Sequence, residues 1–335
     1  MTLDQHSEFA NLVGITASNL RILPGLVLKD YWVTRILRAL ATDADLCRCV
    51  IFKGGTSLSK GWQLIDRFSE DVDLLTAGPE FAVPPGKKDR EKLFKAIKRR
   101  VEEQTPLRLP ELRELPIDER EFFYVRGDYH CNIRYPLPGL RVTPKSPSND
   151  YVFLEMGFRG GTYPHDSVNL NSFVAETVLA LPDEERDALL SYKDDFEAFS
   201  MELLSPVRTF VEKLLALHCD LEKGIEHVRT RHYYDIHALF TKSPEVKSFV
   251  QSGEFPELVR SAVAITIKYF DKDLDPNLDI SKSQALQLSH GQISRLSRQY
   301  ANDRDLYFKG QPPFDTLVQT VAEIWSSLQT KQSLK

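Results

Sequence analysis

The spacing of apolar and polar residues predicts a mixed first half of the chain and a helical second half. In the first half, the pattern predicts helices over 3–20, 26–41, 56–64 and 89–103, and strands over 47–53, 71–75, 121–134 and 150–158. In the second half, it predicts helices over 172–180, 184–190, 206–227, 231–240, 256–270 and 313–330. We therefore expect an α+β protein with a mixed sheet in residues 1–170 and an all-helical lobe in residues 171–335.

The predicted strand over 71–75 places two carboxylates on one face. Val72 and Leu74 point one way and Asp71 and Asp73 the other, because successive strand side chains alternate. Two carboxylates on one face can converge on a hard cation such as Mg²⁺, which usually takes its remaining ligands from water and substrate phosphates. This pair is the first candidate for metal chemistry.

A glycine pair precedes the predicted helix that leads to this strand. Gly54-Gly55 lets backbone N–H groups approach a phosphate, and a helix N-terminus favours an anion. The order of strand, glycine pair, helix and Asp-x-Asp strand predicts that the glycines hold a nucleoside triphosphate while Asp71 and Asp73 hold bridging Mg²⁺. Such a site favours in-line attack at phosphorus. The sequence GGTSLSK lacks the frame of a Walker A loop.

Composition and charge narrow the class of protein. The 335 residues are 42% hydrophobic and 27% charged, with a net charge of −5, which is ordinary for a globular protein. No apolar run is long enough for a bilayer, and the start MTLDQHSEFANL lacks the pattern of a secretory signal. We expect a cytoplasmic protein without a membrane partner, whose four cysteines are reduced.

The motifs resemble a known family. The string KGGTSLSK, followed by LIDRFSEDVDL, is similar to the AbiEii family of toxins and its MenT-type mycobacterial relatives, within the polymerase-β-like nucleotidyltransferase superfamily. LKDYWVTRIL, which begins at Lys29, resembles the family's N-terminal helix. FVEKLLALHCD at Phe210–Asp220 resembles its third motif, and RHYYDIHALF at Arg231–Phe240 its fourth.

The resemblance implies a nucleotidyltransferase fold whose helical C-terminal lobe completes the active site. It implies Mg²⁺-dependent transfer of NMP from an NTP, in relatives to tRNA 3′ ends. It also implies the toxin half of a toxin–antitoxin pair in abortive infection and phage defence, with an AbiEi-like winged-helix antitoxin. By motif position, Asp71 and Asp73 become metal ligands, Lys213 the phosphate-contacting lysine and Asp235 the fourth-motif acid.

Several of these residues have a structural alternative. Lys213 borders an apolar helical stripe and is read from the residues alone as a lysine that extends past the core. Asp235 either pairs with Arg229 or Arg231, or faces the site to orient Lys213 or act as general base. Glu155 is either a third metal-binding carboxylate or a solvated strand acid.

Hydroxyl and lysine side chains near the glycine pair are candidate nucleotide contacts. Thr56 and Ser57 can donate to phosphate or cap the helix, and Lys60 lies one turn after Thr56. Ser69 precedes Asp71 by two residues, so a phosphate on Ser69 would place negative charge beside the metal site.

A basic segment is the candidate RNA contact. Lys87 to Arg100 contains eight Lys or Arg and two acids, which suits either RNA backbone contact or a solvated helix face. The favoured function is thus an RNA-directed nucleotidyltransferase. The alternatives are a nucleotidyltransferase that acts on a protein hydroxyl or a small molecule, and a non-catalytic nucleotide- or partner-binding module.

Overall fold

A seven-stranded mixed sheet is the central element. The computed structural model describes residues 2–69, 71–81, 86–158, 160–187, 189 and 192–332. The strands are β1 (Val50–Lys53), β2 (Asp71–Thr76), β3 (Tyr124–Arg126), β4 (His130–Pro136), β5 (Tyr151–Gly157), β6 (His165–Leu170) and β7 (Phe199–Leu204). Their order across the sheet is β3-β4-β5-β2-β1-β7-β6. Strand β2 lies antiparallel to β1 and parallel to β5, and β5 lies antiparallel to β4.

Helices precede the sheet, connect its strands and make up most of the chain after it. They are α1 (Phe9–Leu20), α2 (Pro24–Ala41), α3 (Gly54–Lys60), α4 (Lys87–Gln104), α5 (Ile117–Phe123), α6 (Phe173–Leu179), α7 (Asp183–Asp187), α8 (Lys193–Phe196), α9 (Pro206–Lys223), α10 (Arg231–Lys242), α11 (Pro244–Val250), α12 (Phe255–Tyr269), α13 (His290–Ala301) and α14 (Phe314–Gln332). The predicted α+β class, with a mixed sheet, flanking helices and a helical C-terminal part, is confirmed. Part of the helix predicted over 184–190 lies outside the described residues.

Two of the predicted strands need correction, and the sequence did not predict strands β6 and β7. The strand predicted over 47–53 begins only at Val50, because the Asp43 carboxylate accepts the Asp45 and Leu46 N–H groups, each at 3.1 Å, and holds the preceding residues in a turn. The cysteines Cys47 and Cys49 are thus not on a strand. The strand predicted over 121–134 is instead the end of α5 followed by the β3–β4 hairpin. Strand β7 lies between two predicted helices, in the lobe predicted to be all-helical, although its buried Phe199, Met201 and Leu203 alternate with more exposed residues.

Helix α2 is tied to its surroundings by two buried charged residues in the LKDYWVTRIL motif. Lys29 Nζ donates to the Ser148 carbonyl oxygen at 2.7 Å, and the Asp30 carboxylate accepts the Phe173 N–H at 2.8 Å, at the first residue of α6. Both side chains are almost fully buried. Because buried charges are stable only when paired or hydrogen-bonded, these residues fix α2 against α6 and the segment before β5.

The chain divides into two compact units that are both discontinuous in sequence. The first comprises Met1–Thr56, Glu70–Phe158 and Ser167–Leu203, and the second Ser57–Ser69, Arg159–Asp166 and Leu204–Lys335. The first unit holds most of the sheet together with α1, α2 and α4 to α8. The second is organised around a hydrophobic core to which α9, α10, α12 and α14 contribute. The division at residue 170 stays a prediction.

Within the described residues, no single helix is both long and apolar enough to cross a bilayer. Helices α1 and α2 reach the length and apolar composition of a membrane span only when they are taken together, and the angle between them is 111°.

Candidate functional site

Acidic and basic side chains converge on one face of the sheet in the first unit. Asp71 and Asp73 are half-buried, whereas Val72 and Leu74 are buried on the opposite face, as predicted. In the register of the sheet, Asp73 lies opposite Lys53 of β1 on one side and Glu155 of β5 on the other. Neighbouring strands are about 4.8 Å apart, so Asp73 and Glu155 are adjacent carboxylates.

Glu155 is strongly perturbed by this position. Burial, and then the charges of Asp73 and Asp71, raise its pKa from 4.5 to about 7. Its Oε1 accepts a hydrogen bond from Asn132 Nδ2 at 3.2 Å. Crowded like charges of this kind are typical of a site that holds a cation, because a bound cation relieves the repulsion.

The raised pKa predicts a pH-dependent stability. The carboxyl group of Glu155 has a higher pKa in the folded state, so its contribution to the free energy of unfolding is present below about pH 4.5 and is lost as the pH rises through 7. We expect Glu155→Gln to be more stable than the wild type at pH 8, on the order of 2 kcal/mol, and to lose that advantage at pH 5. Urea unfolding in EDTA at both pH values measures the difference, and an unchanged pH dependence in the variant would contradict the environment described for Glu155.

Gly54 provides the space that the Asp73 carboxylate occupies. Gly54 has φ of +80°, and a Cβ at this position would lie 1.9 Å from Asp73 Oδ2 and 2.8 Å from Asp73 Cγ. Both the conformation and the close approach require glycine. Gly54 therefore lies directly against one of the predicted metal-binding acids.

Substitution of Gly54 is predicted to displace that carboxylate. We expect Gly54→Ala to reduce activity by about 100-fold or more, since a catalytic group misplaced by about 1 Å commonly costs that much. Transfer of labelled nucleotide measures the effect. Gly14→Ala is the matched control, because a Cβ there meets nothing within 4 Å, and its activity is expected to equal that of the wild type. Wild-type activity in Gly54→Ala would show that the position of Asp73 is not critical.

The remaining predicted contacts around the glycine pair lie on or near α3. This helix begins at Gly54 and ends at Lys60, so the predicted helix is present but begins two residues before the predicted range of 56–64 and ends four residues before its end. Thr56 lies within the helix and not at the predicted N-cap position. The Thr56 hydroxyl donates to the carbonyl oxygen of Asp71, which ties α3 to β2. Ser57 and Lys60 are buried, and Ser69 is half-buried. Their contacts with a nucleotide stay predictions.

A buried ionic cluster lies in the second unit. The Arg67 guanidinium binds Asp235 through both oxygens, with Nε 2.7 Å from Oδ1 and Nη2 2.6 Å from Oδ2. Lys213 Nζ lies 2.6 Å from the same Oδ2. The alternative that pairs Asp235 with Arg229 or Arg231 is wrong, and Arg229 instead pairs with Asp220. Arg67 was not among the predicted site residues, although it lies within the quoted LIDRFSEDVDL motif.

The cluster holds Asp235 in its charged form. Burial alone would raise the pKa of this carboxyl, but the charges and hydrogen bonds of Arg67 and Lys213 outweigh it and hold the pKa well below its usual range. A carboxylate with a lowered pKa and both oxygens engaged is a poor proton acceptor. Of the two roles considered for Asp235, the geometry favours the one that orients Lys213.

The first-unit acids also fit a divalent cation held together with a nucleotide. Among the described residues, no group of three or more His, Cys, Asp or Glu side chains is arranged to hold a metal ion by itself. Mg²⁺ does not require such a cage, because one or two carboxylates, waters and substrate phosphates usually suffice. Asp71 and Asp73 supply hard carboxylate oxygens, and the missing side chain of Gly54 allows the Asp73 carboxylate to take its position. A role for Glu155 as third ligand stays a prediction.

Helix α4 carries the predicted basic face, and part of its charge is paired within the protein. Lys98 Nζ lies 2.6 Å from Glu102 Oε1, and Lys98 is only half-exposed. Four exposed basic residues recur every third or fourth position and form one stripe, which we call the basic stripe: Lys88, Lys92, Lys95 and Arg99.

Comparison with known proteins identifies the family and the fold. Residues 35–320 match the model of the family described as "Nucleotidyl transferase AbiEii toxin, Type IV TA system". The fold is similar to that of MenT4, a nucleotidyltransferase toxin from Mycobacterium tuberculosis H37Rv, at 15% identity and a TM-score of 0.50, covering 95% of this chain and 89% of that one. A protein from H. pylori described as a nucleotidyltransferase has 17% identity and a TM-score of 0.42, with 92% and 96% of the chains covered. No curated protein matches the sequence.

Proposed function

We propose, from the premise that the chain belongs to the AbiEii family of nucleotidyl transferase toxins, that it transfers NMP from an NTP to the 3′ hydroxyl of an RNA, with tRNA as the favoured acceptor. The observation that supports this best is the adjacency of Asp73, Glu155 and Gly54 on one face of the sheet. A metal–nucleotide complex suits this arrangement, because the metal would neutralise the adjacent acids. Gly54 has no side chain that would displace the Asp73 carboxylate.

The first-unit residues are proposed to bind the metal ion and the triphosphate. Asp71 and Asp73 hold Mg²⁺, which would neutralise charge on the triphosphate and on the oxygens that attack and leave phosphorus. Gly54 and Gly55 let the backbone approach the phosphates. Ser57 and Lys60 are proposed to support the same contacts, with Thr56 and Ser69 beside them.

The second-unit residues supply charge rather than proton transfer. Lys213 contacts the phosphates, since a compact ammonium suits charge that develops on a transferred phosphoryl group. Asp235 orients Lys213. We further propose that residues 1–170 form the nucleotidyltransferase core and that the helical lobe of residues 171–335 completes the active site.

The reaction can be tested directly. Purified protein is incubated with each labelled NTP, Mg²⁺ and total tRNA, beside the Asp71→Ala variant and beside a reaction in EDTA. Label in tRNA that depends on Asp71 and on the cation supports the proposal. Label in protein or in a small molecule would instead establish the alternative acceptors, and nucleotide binding without any transfer would establish a binding module.

The basic stripe is proposed to contact the RNA backbone. Replacing Lys88, Lys92 and Lys95 with Gln is expected to weaken RNA binding and to lower the slope of log affinity against log salt by about 2, since each lost phosphate contact lowers it by about 0.7 to 0.9. Filter binding of tRNA over a range of salt concentrations measures both. The control replaces three exposed lysines elsewhere, at Lys145, Lys272 and Lys282, with the same change in net charge. Equal slopes in the two triple variants would exclude the basic stripe from RNA contact.

The family's description as the toxin of a type IV toxin–antitoxin system implies an antitoxin partner. We propose an AbiEi-like winged-helix antitoxin, a role in abortive infection and phage defence, and action in the cytoplasm. Growth arrest on expression of the chain, reversed by a neighbouring winged-helix protein and lost with Asp71→Ala, is the expected behaviour.

A further inference from the structure

We infer that Arg67 is a positioning residue for nucleotide binding: by neutralising Asp235, it keeps the positive charge of Lys213 available to the phosphates. The inference rests on the proposed function, because it assigns Lys213 an anionic substrate. Arg67 itself needs no contact with that substrate.

The geometry makes Arg67 the main partner of Asp235. The guanidinium approaches the carboxylate side-on through two nitrogens, at 2.7 and 2.6 Å, whereas Lys213 contacts only Oδ2. The third nitrogen, Nη1, donates to the Phe68 carbonyl oxygen at 3.0 Å, which fixes the plane of the guanidinium. A planar, bidentate fork of this kind has a defined orientation that an ammonium alone does not provide.

The charges of Arg67, Lys213 and Asp235 do not cancel among themselves. Arg67 and Lys213 carry two positive charges against the single negative charge of Asp235. His232 adds none, because burial and the neighbouring Lys213 charge lower its pKa well below the usual value. The surplus positive charge is most accessible at Lys213, whose side chain is 11% exposed, against 3% for Arg67 and 0% for Asp235. Without Arg67, Lys213 and Asp235 would form a neutral pair.

A charge role and a purely structural role predict different behaviour in a double variant. Arg67→Met removes the surplus charge, and Arg67→Met with Asp235→Asn restores it, because Lys213 then faces a neutral amide. We expect the single variant to bind tripolyphosphate and NTP about tenfold to 100-fold more weakly than the wild type. The double variant is expected to bind about threefold to tenfold more tightly than the single variant but more weakly than the wild type, because the charge is restored while the carboxylate that orients Lys213 is lost.

Equilibrium binding of labelled tripolyphosphate and of each of the four NTPs measures these affinities, and circular dichroism confirms folding. Arg295→Met is the matched control, since it removes an arginine from an exposed ion pair with Glu226. Arg67→Gln, which retains a hydrogen-bond donor toward Asp235, serves as a second neutral variant if Arg67→Met does not fold. Where transfer is measured, both KM for NTP and kcat should change in the single variant, since Lys213 contacts the phosphates of the bound nucleotide and the charge that develops during transfer.

Two results would overturn the inference: wild-type affinity in the neutral Arg67 variants, or a double variant that binds no better than the single one. Its failure is separable from that of the proposed function. If the wild type binds NTP but transfers nothing, only the proposed transferase activity is contradicted. If the wild type transfers nucleotide and its neutral Arg67 variants bind NTP normally, only the inference about Arg67 is contradicted. A wild type that binds neither tripolyphosphate nor any NTP would overturn both.

Discussion

Asp73→Asn is expected to reduce nucleotidyl transfer by about 1,000-fold or more while the protein stays folded. The substitution keeps the size of the side chain but removes a hard anionic ligand, and a metal ion typically supplies several kcal/mol of transition-state stabilisation, about 1.4 kcal/mol per tenfold in rate. Asp73 lies between Lys53 and Glu155 in the sheet, so an asparagine there also relieves repulsion on Glu155. Stability should therefore be unchanged or slightly increased.

The measurement is single-turnover transfer of labelled nucleotide, with thermal unfolding recorded on the same samples. Asp118→Asn on the exposed face of α5 is the control for loss of one surface carboxylate, and it is expected to behave as the wild type. If Asp73→Asn transferred nucleotide at the wild-type rate, the strand carboxylates would have no part in the reaction.

Asp235→Asn is expected to lower the free energy of unfolding by about 3–5 kcal/mol at pH 7, because it leaves two buried cations without their counter-ion. The double variant Arg67→Met with Asp235→Asn removes both charges of the pair, and its free energy of unfolding is expected to fall by much less. Since the Asp235 carboxyl has a lowered pKa in the folded state, its contribution is present above its unfolded value of 3.8 and declines as the pH falls below it. The difference between wild type and Asp235→Asn should therefore shrink toward pH 3.

Urea unfolding followed by circular dichroism at pH 7, 5 and 3 measures this difference. Arg229→Met provides the comparison with an Arg–Asp pair that is partly exposed, since the Arg229 side chain is 50% exposed, and the loss there should stay below about 1 kcal/mol. A loss in Asp235→Asn no larger than in Arg229→Met would show that the buried cluster does not stabilise the fold.

The first-unit acids were predictable from sequence because their signals are local. The two-residue period of Asp71 to Leu75 determines which side chains share a face, and the glycine pair marks a backbone position that tolerates no side chain. The same period was present in β7 and was overlooked within a run of predicted helices. In residues 121–134, the turn at Gly127-Asp128 was not recognised, so a hairpin was predicted as one strand.

The Arg67–Asp235 pair could not be found by such reasoning. The two residues are 168 positions apart, and no periodicity connects them. The sequence suggests the nearby Arg229 and Arg231 as partners for Asp235, whereas the structure supplies the partner from a segment before β2. Contacts of this kind follow from tertiary packing, which a single sequence does not reveal.

The alternation of the chain between its two units has a practical consequence for anyone who wishes to dissect it. The backbone passes from one unit to the other after Thr56, Ser69, Phe158, Asp166 and Leu203. No truncation at one position separates the two units. A fragment that ends at Leu203 keeps the whole first unit together with two segments of the second, and one that begins at Ser57 keeps the whole second unit together with two segments of the first. Inactive proteins for complementation work are therefore better made by point substitution than by deletion.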